Sequence, residues 1–172
     1  MQHLLKNLEE HGDLKHVERQ VNPEFELAAV TKALQDSSNE VVMFHDVAGS
    51  DIPVVSNIYG SHERLLRMVG AAPGQSFCAR WIELTEACLG AKDETVYVPA
   101  KADVDGEFIT CKLSDLPALT WHGRDGGAYF TSAVYLANDP DTGVPNLSFH
   151  RSQQISDDEL RVRLGGPHDL TQ

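Results

Sequence analysis

The chain has 172 residues, 41% of them hydrophobic, and a formal net charge of −12 at pH 7. That length fits one domain, or one domain and part of a second, and the apolar content is enough to bury a core, which excludes global disorder. The acidity excludes a general binder of nucleic acid or of anionic membrane, because both surfaces repel it. The first residues lack the long apolar segment of a signal peptide, and no apolar run is long enough to span a bilayer. Cys78, Cys88 and Cys111 are widely spaced, odd in number and form no CxxC pair. They read as buried free thiols in a reducing cytoplasm, not as a zinc knuckle or a disulfide framework.

Residues 3–11 have helical spacing, with Leu4, Leu5 and Leu8 on one face and Gly12 as the stop. Met1 and this tidy start read as a genuine N-terminus. Residues 14–21 alternate, as a strand does. Asn22 and Pro23 are expected to cap and open a second helix, whose apolar face runs through Phe25, Leu27, Ala28, Val30, Thr31 and Leu34. Val41-Val42-Met43-Phe44 suits a buried strand, and residues 52–55 its neighbour, with Pro53 demoting that run to an edge. Helices are predicted over residues 61–69, capped by Ser61, and over about 75–89. Helix and strand thus alternate, as in an α/β layer.

After Lys92 the pattern changes to short strands, predicted over residues 95–99, 129–136 and 147–151. They are punctuated by Asp125-Gly126-Gly127 and Asp139-Pro140-Asp141-Thr142-Gly143. This half reads as antiparallel β or a partial barrel. In residues 161–164 basic and apolar side chains alternate, as in a strand with one wet face, and the sheet is expected to lack strands that would complete it.

The segment richest in chemistry is 139–151. Pro140 and Gly143 suit a tight turn, and the strand after it carries Asn146, Ser148 and His150 on one face and Leu147, Phe149 and Arg151 on the other. Asn146 offers an amide oxygen to a hard cation, Ser148 a donor to phosphate, and Arg151 a bidentate partner for carboxylate or phosphate. By itself such a segment reads as an exposed hairpin. His45, His62 and His122 have no ligand-like spacing and read as structural or surface residues.

Asp115-Leu116-Pro117-Ala118-Leu119, Asp125-Gly126-Gly127, Asp139-Pro140-Asp141-Thr142-Gly143 and Asn146 to Arg151 occur in that order at close spacing. With residues 4–14, residues 21–31 and Asn57-Ile58-Tyr59-Gly60-Ser61, they make the chain resemble the UbiD family over nearly its whole length. The resemblance implies an α+β protein, with an N-terminal α/β domain over residues 1–100 and a partial FMN-binding-type split β-barrel over residues 101–172. It implies a reversible decarboxylase of aromatic or α,β-unsaturated acids using prenylated FMN, Mn2+ or Mg2+, and K+, the cofactor serving as electron sink. On this pattern Asn146 and His168 are metal ligands, His168 being otherwise an ordinary surface histidine. Leu147, Ser148 and Phe149 contact the cofactor. Arg151 contacts it too, and orients the substrate carboxylate as the catalytic residue. His150 departs from the pattern, where tyrosine or a small residue is common; it reads as facing solvent, with tuning of the site as the alternative.

The family's glutamates, one a metal ligand and two in the acid/base network, fall beyond position 172 of the pattern. A second polypeptide or a neighbouring protomer is therefore expected to complete the site, unless the chain is a piece of a longer enzyme. The expected partners are a small carboxylic acid, that second chain, and a flavin prenyltransferase as cofactor supplier. The alternative is a non-catalytic flavin-, phosphate- or protein-binding module derived from the family.

Overall fold

The computed structural model describes residues 2–90 and 110–164. The strand predicted over residues 95–99, the boundary expected at residue 100, and His168 lie outside the described residues. The chain forms two compact units, Met1–Asn57 with Cys111–Gln172, and Ile58–Thr110.

In the first unit, helix α1 (Gln2–Glu10) buries Leu8 and leads into strand β1 (Leu14–Val17). Helix α2 (Glu26–Ser37) then carries the chain to β2 (Val41–Phe44), which lies parallel to β1 with Leu14 opposite Val41 and Val17 opposite Phe44. Parallel neighbours need a crossover, and α2 supplies it. Strand β3 (Val54–Ser56) returns antiparallel to β2, giving the order β1-β2-β3 with the strand after Pro53 at the edge. Val21, Leu27, Val42, Phe44, Val47 and Leu119 form the core beneath this sheet.

Two boundaries differ from expectation. β1 ends at Val17, and Val21 instead makes an isolated bridge to Val47. α2 starts at Glu26 and not at Pro23, because residues 23–25 pair with residue 120. Phe25 N–H donates to Thr120 O at 3.0 Å, and Thr120 N–H to Pro23 O at 3.2 Å. This pairing holds Phe25 at φ 69°, a left-handed conformation costing about 1 kcal/mol or more, and leaves its ring 42% exposed instead of on the apolar face. Asn22 closes a local turn, its Oδ1 accepting from Glu24 N–H at 2.8 Å, and does not cap the helix.

Farther along, a 3-10 turn at Leu113–Asp115 leads to Leu119, whose N–H and C=O pair with Tyr129 at 3.1 and 2.8 Å. The single strand expected over residues 129–136 is two, β4 (Tyr129–Phe130) and β5 (Val134–Asn138). They separate because their partners do. β5 forms a hairpin with β6 (Pro145–Phe149), whereas β4 joins β7 (Ser152–Gln154) and β8 (Leu160–Val162) in an antiparallel sheet of order β4-β7-β8. The fold is thus mixed α and β, and the described strands close no barrel.

The second unit holds α3 (His62–Met68), capped by Ser61 Oγ accepting from Arg64 N–H at 3.3 Å, and α4 (Phe77–Gly90). α4 has no buried residue, so Cys78 and Cys88, expected inside, are exposed; Cys111 is exposed as well. No helix among the described residues is long and apolar enough to cross a membrane.

Leu119 is 7% exposed within the core cluster. Leu119→Ala should lower stability by about 2–5 kcal/mol, the usual cost of such a cavity, measured by chemical denaturation.

Candidate functional site

A cleft of about 780 Å3 opens on one face of the β4-β7-β8 sheet. Tyr129 stands opposite Gln153, and Gln153 opposite Arg161, so three side chains form one row across the sheet. Two-residue periodicity puts Thr131, Arg151 and Arg163 on the same side as these three, and all six line the cleft. Ser152, on the opposite face, is fully buried and bonded to the Tyr135 hydroxyl at 2.6 Å.

Residues 121–126 form another wall. Asp125 Oδ2 accepts from the N–H groups of His122 at 2.9 Å and Trp121 at 3.2 Å, folding the loop. Gln153 Nε2 donates to Gly126 O at 2.7 Å. A Cβ at Gly127 would stand 3.2 Å from that nitrogen, and Gly127 has φ +146°, a region open essentially to glycine alone. The Asp-Gly-Gly motif is thereby explained as the backbone that lets the loop close over β7.

Arg124, Arg151, Arg161 and Arg163 all line the cleft, four of the chain's 14 lysines and arginines. Among the described residues none of the four is in an ion pair. The only carboxylate in the described lining, Asp125, is engaged by the loop amides. Four uncompensated guanidiniums in a chain of net charge −12 make a local positive field that concentrates anions. The buried Nε1 of Trp121 has no acceptor among the described residues, so the cleft also offers an unused donor. Trp121, Tyr129 and Phe149 add aromatic surface. The arrangement can bind a phosphorylated, partly planar anion.

Of the residues named from sequence, Phe149, His150 and Arg151 line this cleft. Asn146, Leu147 and Ser148 lie on β6, outside its lining, with Asn146 opposite Ala137 and Ser148 opposite Tyr135. His150, expected to face solvent, is instead half-buried: its Nε2 is 3.0 Å from Ser148 Oγ and its ring meets Tyr135 edge-on. Sequence reasoning missed Arg124, Arg161, Arg163, Tyr129 and Gln153. The alternation of Arg161 and Arg163 in an acidic chain was the available signal.

The β5–β6 turn explains its own motif. Asp139 Oδ1 accepts from Thr142 N–H at 2.7 Å and Asp141 N–H at 2.9 Å, while Gly143 takes φ +72°. Those backbone donors, Thr142 first, hold the Asp139 carboxyl below its ordinary value of 3.8. The hairpin leaves its apolar face outward, with Leu147 68% and Phe149 76% exposed.

A mixed α/β protein with a basic, aromatic-lined cleft presents a surface complementary to an anionic, partly planar ligand. Comparisons with known proteins narrow the class. The profile of the 3-octaprenyl-4-hydroxybenzoate carboxy-lyase N-terminal domain matches residues 5–84, and that of the Rift-related domain of the same enzyme matches residues 94–172. The chain belongs to the UbiD family. It is 34% identical over 156 residues to anhydromevalonate phosphate decarboxylase of Methanothermobacter thermautotrophicus, covering 90% of this chain and 34% of that protein. It is 25% identical over 167 residues to one of the subunits of 4-hydroxybenzoate decarboxylase from Chlamydia pneumoniae, covering 86% and 28%.

Among solved structures, the UbiD-class enzyme HmfF of Pelotomaculum thermopropionicum in complex with prFMN matches with TM-score 0.74 and 27% identity, over 99% of this chain and 39% of that one. The closed form of vanillic acid decarboxylase of Sedimentibacter hydroxybenzoicus matches with TM-score 0.78 and 25% identity, over 99% and 38%. The chain thus spans about a third of the length of the relatives it matches.

Arg161→Ala with Arg163→Ala should weaken binding of inorganic pyrophosphate at least about tenfold, since a charged hydrogen bond contributes about 1.5–3 kcal/mol; calorimetric titration reads this directly. For Asp139 the lowered carboxyl means that turn stability is fully present above its unfolded value and is lost as pH falls through the lower folded one. The amide resonances of Asp141 and Thr142 should therefore hold their positions down to about pH 4 and move only at more acid pH, and the Asp139→Asn variant should lose that transition.

Proposed function

We infer that this chain is the cofactor-side portion of a prenylated-FMN-dependent decarboxylase acting reversibly on an aromatic or α,β-unsaturated carboxylic acid. The observation that carries the reading is the four-arginine cleft in a chain of this family. Relatives named as decarboxylases, and an HmfF structure with prFMN, support it.

The lining fits the cofactor. Arg124, Arg161 and Arg163 are the residues to hold the flavin phosphate, and Trp121, Tyr129 and Phe149 to lie against the ring system, with Leu147 and Ser148 contributing from β6. When bound, the prenylated flavin supplies the electron sink for loss of CO2. Arg151 is the catalytic residue: its guanidinium pairs with the substrate carboxylate and orients it. Asn146 and His168 are assigned to Mn2+ or Mg2+, through a carboxamide oxygen and an imidazole nitrogen, with K+ nearby.

The exposed apolar face of the β5–β6 hairpin supports reading it as part of a split barrel whose remaining strands cover that face. The missing acid/base carboxylates would come from a further stretch of chain, a second polypeptide or a neighbouring protomer. A flavin prenyltransferase would supply the cofactor, and three free, exposed cysteines fit a reducing cytoplasm. One observation favours the alternative of a non-catalytic flavin- or phosphate-binding module: no carboxylate in the described lining is free to move a proton.

Native mass spectrometry of the chain produced together with a flavin prenyltransferase tests the reading. It should retain prenylated FMN and one divalent ion, and Asn146→Ala should release the ion. In the completed enzyme Arg151→Ala should cut turnover about 100-fold or more with cofactor retained. A cofactor-free wild type overturns the assignment, an unchanged Arg151→Ala rate removes that residue's role, and retained cofactor with no turnover under any completion favours the module.

A further inference from the structure

We propose that His16, His45 and Glu18 form a binding site for one divalent transition-metal ion of the zinc type, with Glu9 orienting His16. These residues share none with the arginine cleft. His16 Nδ1 lies 2.7 Å from His45 Nε2, and His45 Nε2 lies 3.6 Å from Glu18 Oε1. The three ligand atoms all lie within 4.8 Å of one another.

The backbone explains the convergence. Alternation along β1 and its extension puts His16 and Glu18 on one side. The parallel register runs His16 opposite Met43 and Val17 opposite Phe44, so continuing it brings His45 beside Glu18. His45 N–H donates to Val17 O at 3.0 Å and holds that continuation in place. The three donors are thus collected by a hydrogen-bonded ladder and not by a flexible loop.

The donor set selects the ion. Two imidazole nitrogens and one carboxylate oxygen suit Zn2+ and its first-row neighbours, whereas Mg2+ and Ca2+ take oxygen ligands. Ligand atoms of a tetrahedral ion at about 2.0–2.1 Å stand about 3.3 Å apart, within reach of side-chain rotation from the distances found here. The other nitrogen of His16, Nε2, is 3.0 Å from Glu9 Oε2 on α1. A carboxylate accepting there fixes the tautomer that presents the Nδ1 lone pair to the ion, the arrangement most metal-bound histidines have. The His16 and His45 side chains are 37% and 33% exposed, which leaves water room to complete the coordination. A hydrogen bond between the two imidazoles accounts for the 2.7 Å contact and leaves Glu18 at 3.6 Å from His45, beyond hydrogen-bond distance; a bound ion uses all three groups.

The test is titration of chelator-treated chain, free of any histidine tag, with Zn2+ by calorimetry and with Co2+ by visible d–d absorption. Wild type should bind one equivalent of Zn2+ that His16→Gln and His45→Gln each lose, and that Glu9→Gln weakens about 10–100-fold. His11→Gln, an exposed histidine outside the cluster, should bind as wild type. Circular dichroism checks that the variants fold; if either histidine variant does not, Glu18→Gln is read in its place and should also weaken the site. A wild type that takes no Zn2+, or histidine variants that bind it unchanged, overturns the proposal.

Discussion

The short segment Leu119–Thr120 is the tie on which the first unit depends. Thr120 exchanges two backbone hydrogen bonds with residues 23 and 25, and Leu119 exchanges two with Tyr129. The Leu119 side chain enters the core beside Phe44 and Val42. Four hydrogen bonds at about 0.5–1.5 kcal/mol each, together with a buried leucine at about 1.5–3 kcal/mol, outweigh the left-handed strain at Phe25. The tie fixes β4, β4 fixes the row Tyr129, Gln153 and Arg161, and that row is part of the cleft. The N-terminal sheet thus supports the candidate site although none of its residues lines it.

Charge and apolarity are both distributed against the average of the molecule. An acidic chain gathers four arginines around one cleft, and a hairpin hides its polar face while presenting Leu147 and Phe149 outward. Each is costly in isolation, because like charges repel and exposed apolar surface orders water. Both are understandable where a ligand or further protein surface meets them. Phe149 joins the two features, being on the outward face of β6 and in the cleft lining.

Much of this was legible locally. Ser61 as helix cap, the buried Val41–Phe44 strand and the edge position after Pro53 follow from short-range sterics and capping, and they appear in the structure. The Asp139 turn was legible for the same reason, since its donors lie two and three residues away. The motifs that mark the family were also readable, because residue type at fixed spacing survives without knowledge of the fold. Long-range pairing was not readable. The start of α2 moved to Glu26 through contacts with residue 120, and residues 129–136 divided between two ladders whose partners lie up to 24 residues on.

The sequence by itself determined the family, the alternation of helix and strand in the first part, and the chemistry available in the segment 146–151. Only the tertiary structure decided which charges meet. Arg124, Arg151, Arg161 and Arg163 share a cleft because antiparallel register aligns β7 with β8 and the Gly126–Gly127 backbone lets their loop approach. His16 meets His45, 29 residues further along the chain, because β1 and β2 run parallel. Both juxtapositions are set by hydrogen-bond ladders between distant segments, and no spacing along a single strand encodes them.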